Sequence, residues 1–275
     1  MIVYSPPVNF PRPFLKWAGG KGQVLQQYVN YFPKPFKRYF EPFLGGGAVF
    51  FHLQPRQAWL ADINPELVNV YCCVRDQVDD LIQLLSHHQA QHSIDYYYKI
   101  RANPGMCNIE KSARLIYLNK TCFNGLYREN SKGQFNVPVG RYKNPKICNP
   151  DLLRVASLAL KDTQIEVNTF TAILDVATCS DDFVYFDPPY HPISSTSKFT
   201  AYNRYAFHAD DQIRLQETFV ALAERGVHVM LSNSDCPFIR DLYRDFNIRT
   251  IQATRAINSN ATRRGKITEL LITSY

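Results

Sequence analysis

Residues 183–190 read Phe183-Val184-Tyr185-Phe186-Asp187-Pro188-Pro189-Tyr190. Four apolar, strand-favouring residues without a charge predict a short strand buried on both faces, as in a parallel sheet. The two prolines end it, because neither offers an N–H to a ladder, and they fix the chain in a rigid extended turn. Such a turn lies at the carboxyl edge of the sheet, where open α/β sheets receive ligands. It brings together the Asp187 carboxylate, the Pro188 carbonyl and the Tyr190 ring. Two acceptors beside an aromatic face suit a planar group bearing an NH₂, the acceptors taking the amine hydrogens while the ring stacks on the plane. The plainer alternative is a proline turn that merely ends a strand.

The flanking sequence repeats the strand–helix alternation. Residues 37–43 predict a strand entering Gly45-Gly46-Gly47, and residues 48–53 a helix. The apolar run Ala58-Trp59-Leu60-Ala61 ends at Asp62. Val78, Leu81, Ile82 and Leu85 recur at helical spacing. After the 183–186 strand, residues 210–225 predict an amphipathic helix with Ile213, Phe219 and Leu222 inward and Gly226 as its stop. Residues 227–231 predict a strand ending in Ser232-Asn233-Ser234-Asp235, and residues 267–273 a last strand. Strands alternating with helices imply a mostly parallel sheet covered on both faces. Between residues 92 and 150 periodicity fades and Asn, Gly, Pro and Lys become common, which predicts loops and short helices. With 275 residues, the chain reads as one large α/β domain carrying an insertion.

Charge concentrates in that insertion. Residues 96–161 hold 12 Lys and Arg against three acids, whereas the rest of the chain holds 19 bases and 21 acids. The same segment carries Tyr96, Tyr97, Tyr98, Tyr117, Phe123, Tyr127, Phe135 and Tyr142. Bases interleaved with aromatics suit a surface that meets phosphates and stacks on nucleobases, and equally a solvated basic face over core tyrosines. At 45% hydrophobic and 20% charged residues, global disorder is excluded. No stretch approaches the roughly 18 uncharged apolar residues of a membrane span, and residues 1–17 carry no secretory h-region. Seven cysteines, an odd number without a Cys-x-x-Cys pair, argue for reduced thiols in a cytoplasm, with neither a disulfide framework nor a zinc site; no metal is expected.

Two further motifs bear on a cofactor. Phe40-Glu41-Pro42-Phe43-Leu44-Gly45-Gly46-Gly47 leads a strand into glycines that let a ligand approach the backbone. Asp62, 17 residues after Gly45, stands where an acid can bind ribose hydroxyls. The spacing is not G-x-G-x-x-G, so a nucleoside cofactor without a pyrophosphate fits better than a dinucleotide. Phe14-Leu15-Lys16-Trp17-Ala18-Gly19-Gly20-Lys21, before an apparent helix with Val24, Leu25 and Tyr28, suits an anion held by backbone N–H groups and Lys21. Taken singly, the Gly45-Gly46-Gly47 loop reads equally as a tight strand–helix turn, and the 14–21 segment reads more readily as a surface turn.

In this order the three motifs resemble the Dam-type adenine-N6 DNA methyltransferases. That family runs from F-L-K-W-A-G-G-K through an F-x-G-x-G loop to a late D-P-P-Y, with a DNA-reading lobe before the last. The insertion adds Asn119-Lys120-Thr121-Cys122-Phe123-Asn124-Gly125-Leu126-Tyr127-Arg128 and Gly133-Gln134-Phe135-Asn136-Val137-Pro138-Val139-Gly140. These are similar to the family's N-[RK]-x-x-[YF]-N-G-L-x-R and G-x-F-N-V-P-x-G segments. Residues 257–260 and Glu269-Leu270-Leu271 resemble its ending. The resemblance spans residues 14–272. Phe123 stands where some relatives carry Tyr, and Lys120 where many carry Arg.

The resemblance implies a Rossmann-like S-adenosylmethionine-dependent methyltransferase sheet, residues 1–75 and 160–275, with an inserted, mostly helical target-recognition domain, residues 76–159. It implies S-adenosyl-L-methionine held by Trp17, Lys21, Phe43, Gly45, Gly47, Asp62, Phe170 and Asp187, with Phe199 a weaker candidate beside the cofactor adenine. Double-stranded DNA is the implied partner, contacted by Lys16, Phe123, Asn124, Leu126, Arg128 and Pro138, within 5′-GATC-3′. The catalytic set is Asp187, Pro188 and Tyr190: an adenine flipped from the duplex stacks on Tyr190, and its amine, oriented by Asp187 and the Pro188 carbonyl, attacks the sulfonium methyl in line. Transfer to RNA or to a protein glutamine shares the Pro-Pro-aromatic turn, but the 16–21 and 119–128 segments argue against both. A non-catalytic DNA-binding module is the third reading, and a nicotinamide oxidoreductase, lacking the pyrophosphate fingerprint, the weakest. A restriction-system enzyme with a cognate endonuclease and a solitary regulatory enzyme would look alike. The expected location is the cytoplasm, at the nucleoid when on DNA.

Overall fold

A computed structural model describes residues 10–192, 207–254 and 266–275. Phe199 and residues 257–260 lie outside them. In chain order the described residues form α1 (Leu25–Tyr28), β1 (Arg38–Glu41), α2 (Ala48–Leu53), β2 (Ala58–Asp62), α3 (Pro65–Asp76), α4 (Val78–Ala90), α5 (Ile94–Ala102), α6 (Asn108–Thr121), α7 (Pro150–Leu160), β3 (Thr163–Val167), α8 (Ile173–Val176), β4 (Asp182–Phe186), α9 (Ala209–Glu224), β5 (His228–Ser234), α10 (Pro237–Leu242), β6 (Asn247–Thr254) and β7 (Lys266–Thr273). They fall into two compact units. The helical unit takes the chain through Gly20, Gly45–Gln54 and Asn64–Asp162, and so holds α2 to α7. The sheet unit takes Lys21–Leu44, Pro55–Ile63 and the chain from Thr163, and holds every described strand with α1 and α8 to α10.

The strands of the sheet unit are ordered β3-β2-β1-β4-β5-β7-β6. β1 to β5 run parallel, and β7 enters antiparallel between β5 and β6. This is the mixed α/β architecture expected from the alternation. Strand order reverses between β1 and β4, so their carboxyl ends form the switch point at which such sheets receive a ligand. All of β4 is buried, as the apolar run Phe183–Phe186 requires, with the ion-paired Asp182 at its start. Val184 and Phe186 join Leu215, Phe219 and Leu222 of α9 in one core. Phe183 and Tyr185 instead meet Phe32, Phe36, Tyr39 and Tyr28.

Three expectations need correction. Ile213 is 40% exposed, and Leu215 takes the inward place; nine residues separate Ile213 from Leu222, half a turn round the helix, so the two cannot share a face. The strand beginning near Val227 does not stop at Leu231 but continues through Ser234, because β7 pairs along its whole end. The 92–150 stretch contains a 14-residue helix, α6, in which Ser112 through Asn119 are all buried. A helix enclosed all round has no polar face to give it a period.

In the helical unit, Asn64 caps α3 by accepting from the N–H groups of Glu66 and Leu67. Phe14 packs on Phe51 and Tyr71. Asn69 of α3 donates to Ser112 of α6, 2.8 Å away, pinning these two helices together.

Candidate active site

The register of the sheet builds the first cluster. Phe186 pairs with Leu231, so Asp187 emerges beside Ser232. The Ser232 hydroxyl donates to Asp187 Oδ1 at 2.9 Å. Its single proton being used there, Tyr185 must donate to Ser232, also at 2.9 Å. The turn that follows is held by its backbone. Gln212 of α9 donates to the Pro189 carbonyl at 2.9 Å. Asn233 donates to Gln212 and accepts from the His191 N–H. Among the described residues nothing donates to the Pro188 carbonyl. The turn therefore presents one carboxylate and one open carbonyl from a fixed frame.

Lys21, in the 3₁₀ turn Lys21–Gln23, is buried and meets Asp187 Oδ1 at 2.7 Å. Its ammonium also lies over the Tyr190 ring, 4.7 Å from the centroid. Burial opposes the charge of Lys21, but Asp187, with help from Tyr28 and Glu269, outweighs it and holds the ammonium above the ordinary lysine range. Burial raises the Asp187 carboxyl above its usual range, against the pull of Lys21 and Ser232. Glu269 of β7 is buried and opposite Ser234. It accepts from Tyr190 at 2.9 Å on Oε2 and from Tyr28 at 2.5 Å on Oε1. Burial pushes both phenols well above their ordinary range, Tyr28 being further raised by Tyr190 and Glu269, and Tyr190 by Asp187 and Glu269. Both therefore remain donors.

The other expected cofactor residues of this unit are spread along the strand ends. Asp62 closes β2, and its carbonyl accepts from Asn168 just beyond β3. Phe43 follows β1 and stacks on Phe170, with centroids 5.5 Å apart and planes at 21°. Phe207 meets both rings edge-on. Phe170 is 8% exposed and belongs to the core cluster.

The helical unit brings together the remaining residues. Trp17 packs against the glycine loop, where a Cβ on Gly45 would lie 3.0 Å from the indole Cδ1. Gly45 and Gly47 have φ of 47° and 65°, a conformation that disfavours other residues. Tyr71 donates to the Gly45 carbonyl at 3.1 Å, and Trp17 also faces the Tyr127 ring at 5.5 Å. Lys16 is fixed at its backbone. Its N–H donates to Asn119 Oδ1 at 2.8 Å, and Asn119 Nδ2 donates back to the Lys16 carbonyl at 2.7 Å and to that of Gly125 at 3.1 Å. The Lys16 ammonium lies over the Tyr142 ring. Beyond α6, Phe123, Asn124, Arg128 and Pro138 are exposed and Leu126 is half-buried. The Phe123 N–H donates to the Pro138 carbonyl at 2.9 Å, and Arg128 donates to Asn136. Lys120, partly buried, is pushed down to about 8 by desolvation and by the charges of Lys16 and Arg12.

The basic, aromatic composition of the 96–161 segment is thus divided by burial. Tyr97, Tyr117 and Phe135 are core, and Arg114 is buried, donating to the Ile100 and Arg101 carbonyls. Phe123, Tyr98 and Tyr142 are exposed. Sequence reasoning did not single out Tyr28, Ser232, Asn233, Gln212, Glu269 or Asn119 for a role. Of these, the polar run at the end of β5, the Glu-Leu-Leu of β7, the segment that Asn119 opens and the helix spacing of Tyr28 carried a local signal, though none pointed to these partners.

Residues 17–257 match the D12 class N6 adenine-specific DNA methyltransferases. The chain is 46% identical to a type II methyltransferase of Lactococcus lactis subsp. cremoris, over 96% of this chain and 95% of that one. It is 45% identical to a type II methyltransferase of Methanocaldococcus jannaschii, over 96% and 99%. It is 35% identical to the DNA adenine methylase of Escherichia coli, over 94% of each.

Proposed function

Because the chain belongs to the D12 class N6 adenine-specific DNA methyltransferases, we propose that the Asp187-Pro188-Pro189-Tyr190 turn receives the target adenine and that S-adenosyl-L-methionine is the methyl donor. The observation that carries this reading is the pair of acceptors held rigidly beside a ring. The adenine N6 group has two hydrogens and a lone pair delocalised into the base. Asp187 and the Pro188 carbonyl would take the hydrogens, orienting the amine and favouring a tetrahedral nitrogen, so the residues act through position and electrostatics. Lys21 covers one face of Tyr190 and the base is assigned the other. Stacking of about 1–3 kcal/mol offsets part of the few kcal/mol needed to flip a base from the duplex.

S-adenosyl-L-methionine, when bound, supplies a methyl group on a sulfonium. The chain's donor set suits it: a buried lysine for a carboxylate, Asp62 for ribose hydroxyls, and Asp187 beside the reacting end. Phe43 and Phe170 line the same strand ends. Trp17, Gly45 and Gly47 are assigned to the cofactor by their motif. Sequence readout is assigned to Lys16, Phe123, Asn124, Leu126, Arg128 and Pro138, with residues 76–159 as the core of the recognition domain and 5′-GATC-3′ as the target. Arg128 is exposed and can bind a guanine bidentately, and Phe123 can wedge between bases. The type II relatives make a cognate endonuclease a reasonable partner. A cytoplasmic, nucleoid-associated location follows from the substrate.

The test is transfer of labelled methyl from S-adenosyl-L-methionine to two short duplexes, one with a central GATC and one with those bases scrambled, followed by nucleoside analysis. N6-methyladenine only in the first is expected. Label in both discards the target and keeps the chemistry. Asp187→Ala should abolish transfer with duplex binding largely retained, and full activity in that variant would sink the site. Arg128→Ala should relax discrimination at one guanine position; equal weakening on every duplex would mark it as a phosphate contact.

A further inference from the structure

Glu269 is a buried carboxylate that the reaction, as read above, does not use. It stands on the antiparallel strand β7, opposite Ser234 of β5. Each of its oxygens receives one tyrosine hydroxyl, Tyr28 on Oε1 and Tyr190 on Oε2. It also adds negative charge near Lys21 and Asp187, favouring the charged form of the former and opposing that of the latter. Tyr190 stands at the end of a proline turn, with the Lys21 ammonium over one face of its ring. Its hydroxyl bond to Glu269 ties the far end of the ring to β7. Tyr28, fully buried against Tyr185, ties the other oxygen of Glu269 to α1.

Resting on the adenine-receiving role of Tyr190, we propose that Glu269 is a positioning residue: its two-tyrosine clamp fixes the Tyr190 ring in the orientation that stacks on the target base. Glu269 touches neither base nor cofactor in this account and acts through Tyr190. The Tyr190 hydroxyl then serves geometry, not proton transfer.

Unmethylated plasmid DNA, which offers many short target sequences, is the substrate for the test. Methyl transfer is measured at saturating DNA and S-adenosyl-L-methionine for wild type, Glu269→Gln, Tyr190→Phe and the double variant, with cofactor affinity measured separately. Glutamine keeps the volume but loses the charge and reverses one hydrogen bond; phenylalanine keeps the ring and loses the tether. Each single variant should lower the saturated rate about tenfold, as a small misplacement does, with cofactor affinity within about threefold of wild type. The double variant should be no slower than the slower single one, because both remove the same link. A multiplied loss of about a hundredfold, a wild-type rate in either single variant, or a lost cofactor affinity at unchanged rate would overturn the proposal. If Glu269→Gln shows no cooperative melt, Tyr190→Phe decides alone by the same threshold. A wild-type protein that methylates no DNA adenine would instead defeat the proposed function, and this inference with it.

Discussion

At the scale of single residues, Gly125 shows how closely the 119–140 segment is packed against Lys16. Its φ is +65°, and a Cβ would lie 2.7 Å from both Cβ and Cδ of Lys16. Gly125→Ala therefore combines a left-handed strain of roughly 1–2 kcal/mol with overpacking of about 1–3 kcal/mol. We expect a loss of about 2–5 kcal/mol in unfolding free energy, and weaker discrimination among duplexes, since Lys16 must move. A denaturant midpoint equal to wild type would show that Lys16 yields without cost. Residue chemistry was legible in the sequence where it was local. Asp187, Pro188 and Tyr190 sit within four positions, and proline stiffness alone brings them together. The partners that complete the site are long-range. Glu269 lies 79 positions from Tyr190, and Ser232 lies 45 from Asp187. Only strand order and register place them, and a single sequence states neither.

Elements were legible in proportion to the asymmetry of their surroundings. β4 was readable because a parallel strand buried on both faces is an unbroken apolar run. α9 was readable in extent, though its spacing does not put Ile213 on the inward face. α6 was not readable, because the unbroken burial of Ser112 through Asn119 erases its period. The pairing of β1 with β4 includes one polar contact that pattern reasoning passes over. Arg38 and Asp182 are direct cross-strand neighbours. Arg38 donates from Nε at 2.8 Å and from a terminal nitrogen at 2.6 Å, and the N–H groups of Thr178 and Cys179 complete the carboxylate. Asp182 is fully buried, and Arg38 half-exposed. Asp182→Ala removes four acceptor bonds and leaves two N–H groups unmet, so a loss of about 2–4 kcal/mol is expected. Because this pair lies at the amino ends of β1 and β4, away from Asp187, cofactor affinity measured on the folded variant should match wild type. Unchanged stability in urea unfolding would mean that water replaces the carboxylate freely.

For the molecule as a whole, charge separates how tightly DNA is held from how selectively. The formal charge is +7, and the excess lies in residues 96–161. Not all of it is available to a duplex: Arg114 is buried and spent on two carbonyls. Lys143 and Lys146, by contrast, are exposed. If about five bases meet phosphates, the affinity should fall with salt at a logarithmic slope of about −4.5, which is a loss of about 10²–10³-fold between 50 and 200 mM. Counterion release is blind to sequence, so duplexes with and without the target should weaken in parallel. Discrimination, if Arg128 and its neighbours carry it as proposed, should survive the change of salt. Replacing Lys143 and Lys146 by Gln should then reduce the slope by about one unit for each phosphate that these lysines neutralise, with the ratio between the two duplexes unchanged. Fluorescence anisotropy across a salt series measures both quantities on the same samples. A flat salt dependence would detach the basic segment from the phosphates. A ratio that collapsed along with the affinity would make these lysines readers of bases, and the division of labour between exposed charge and the 119–140 segment would have to be redrawn.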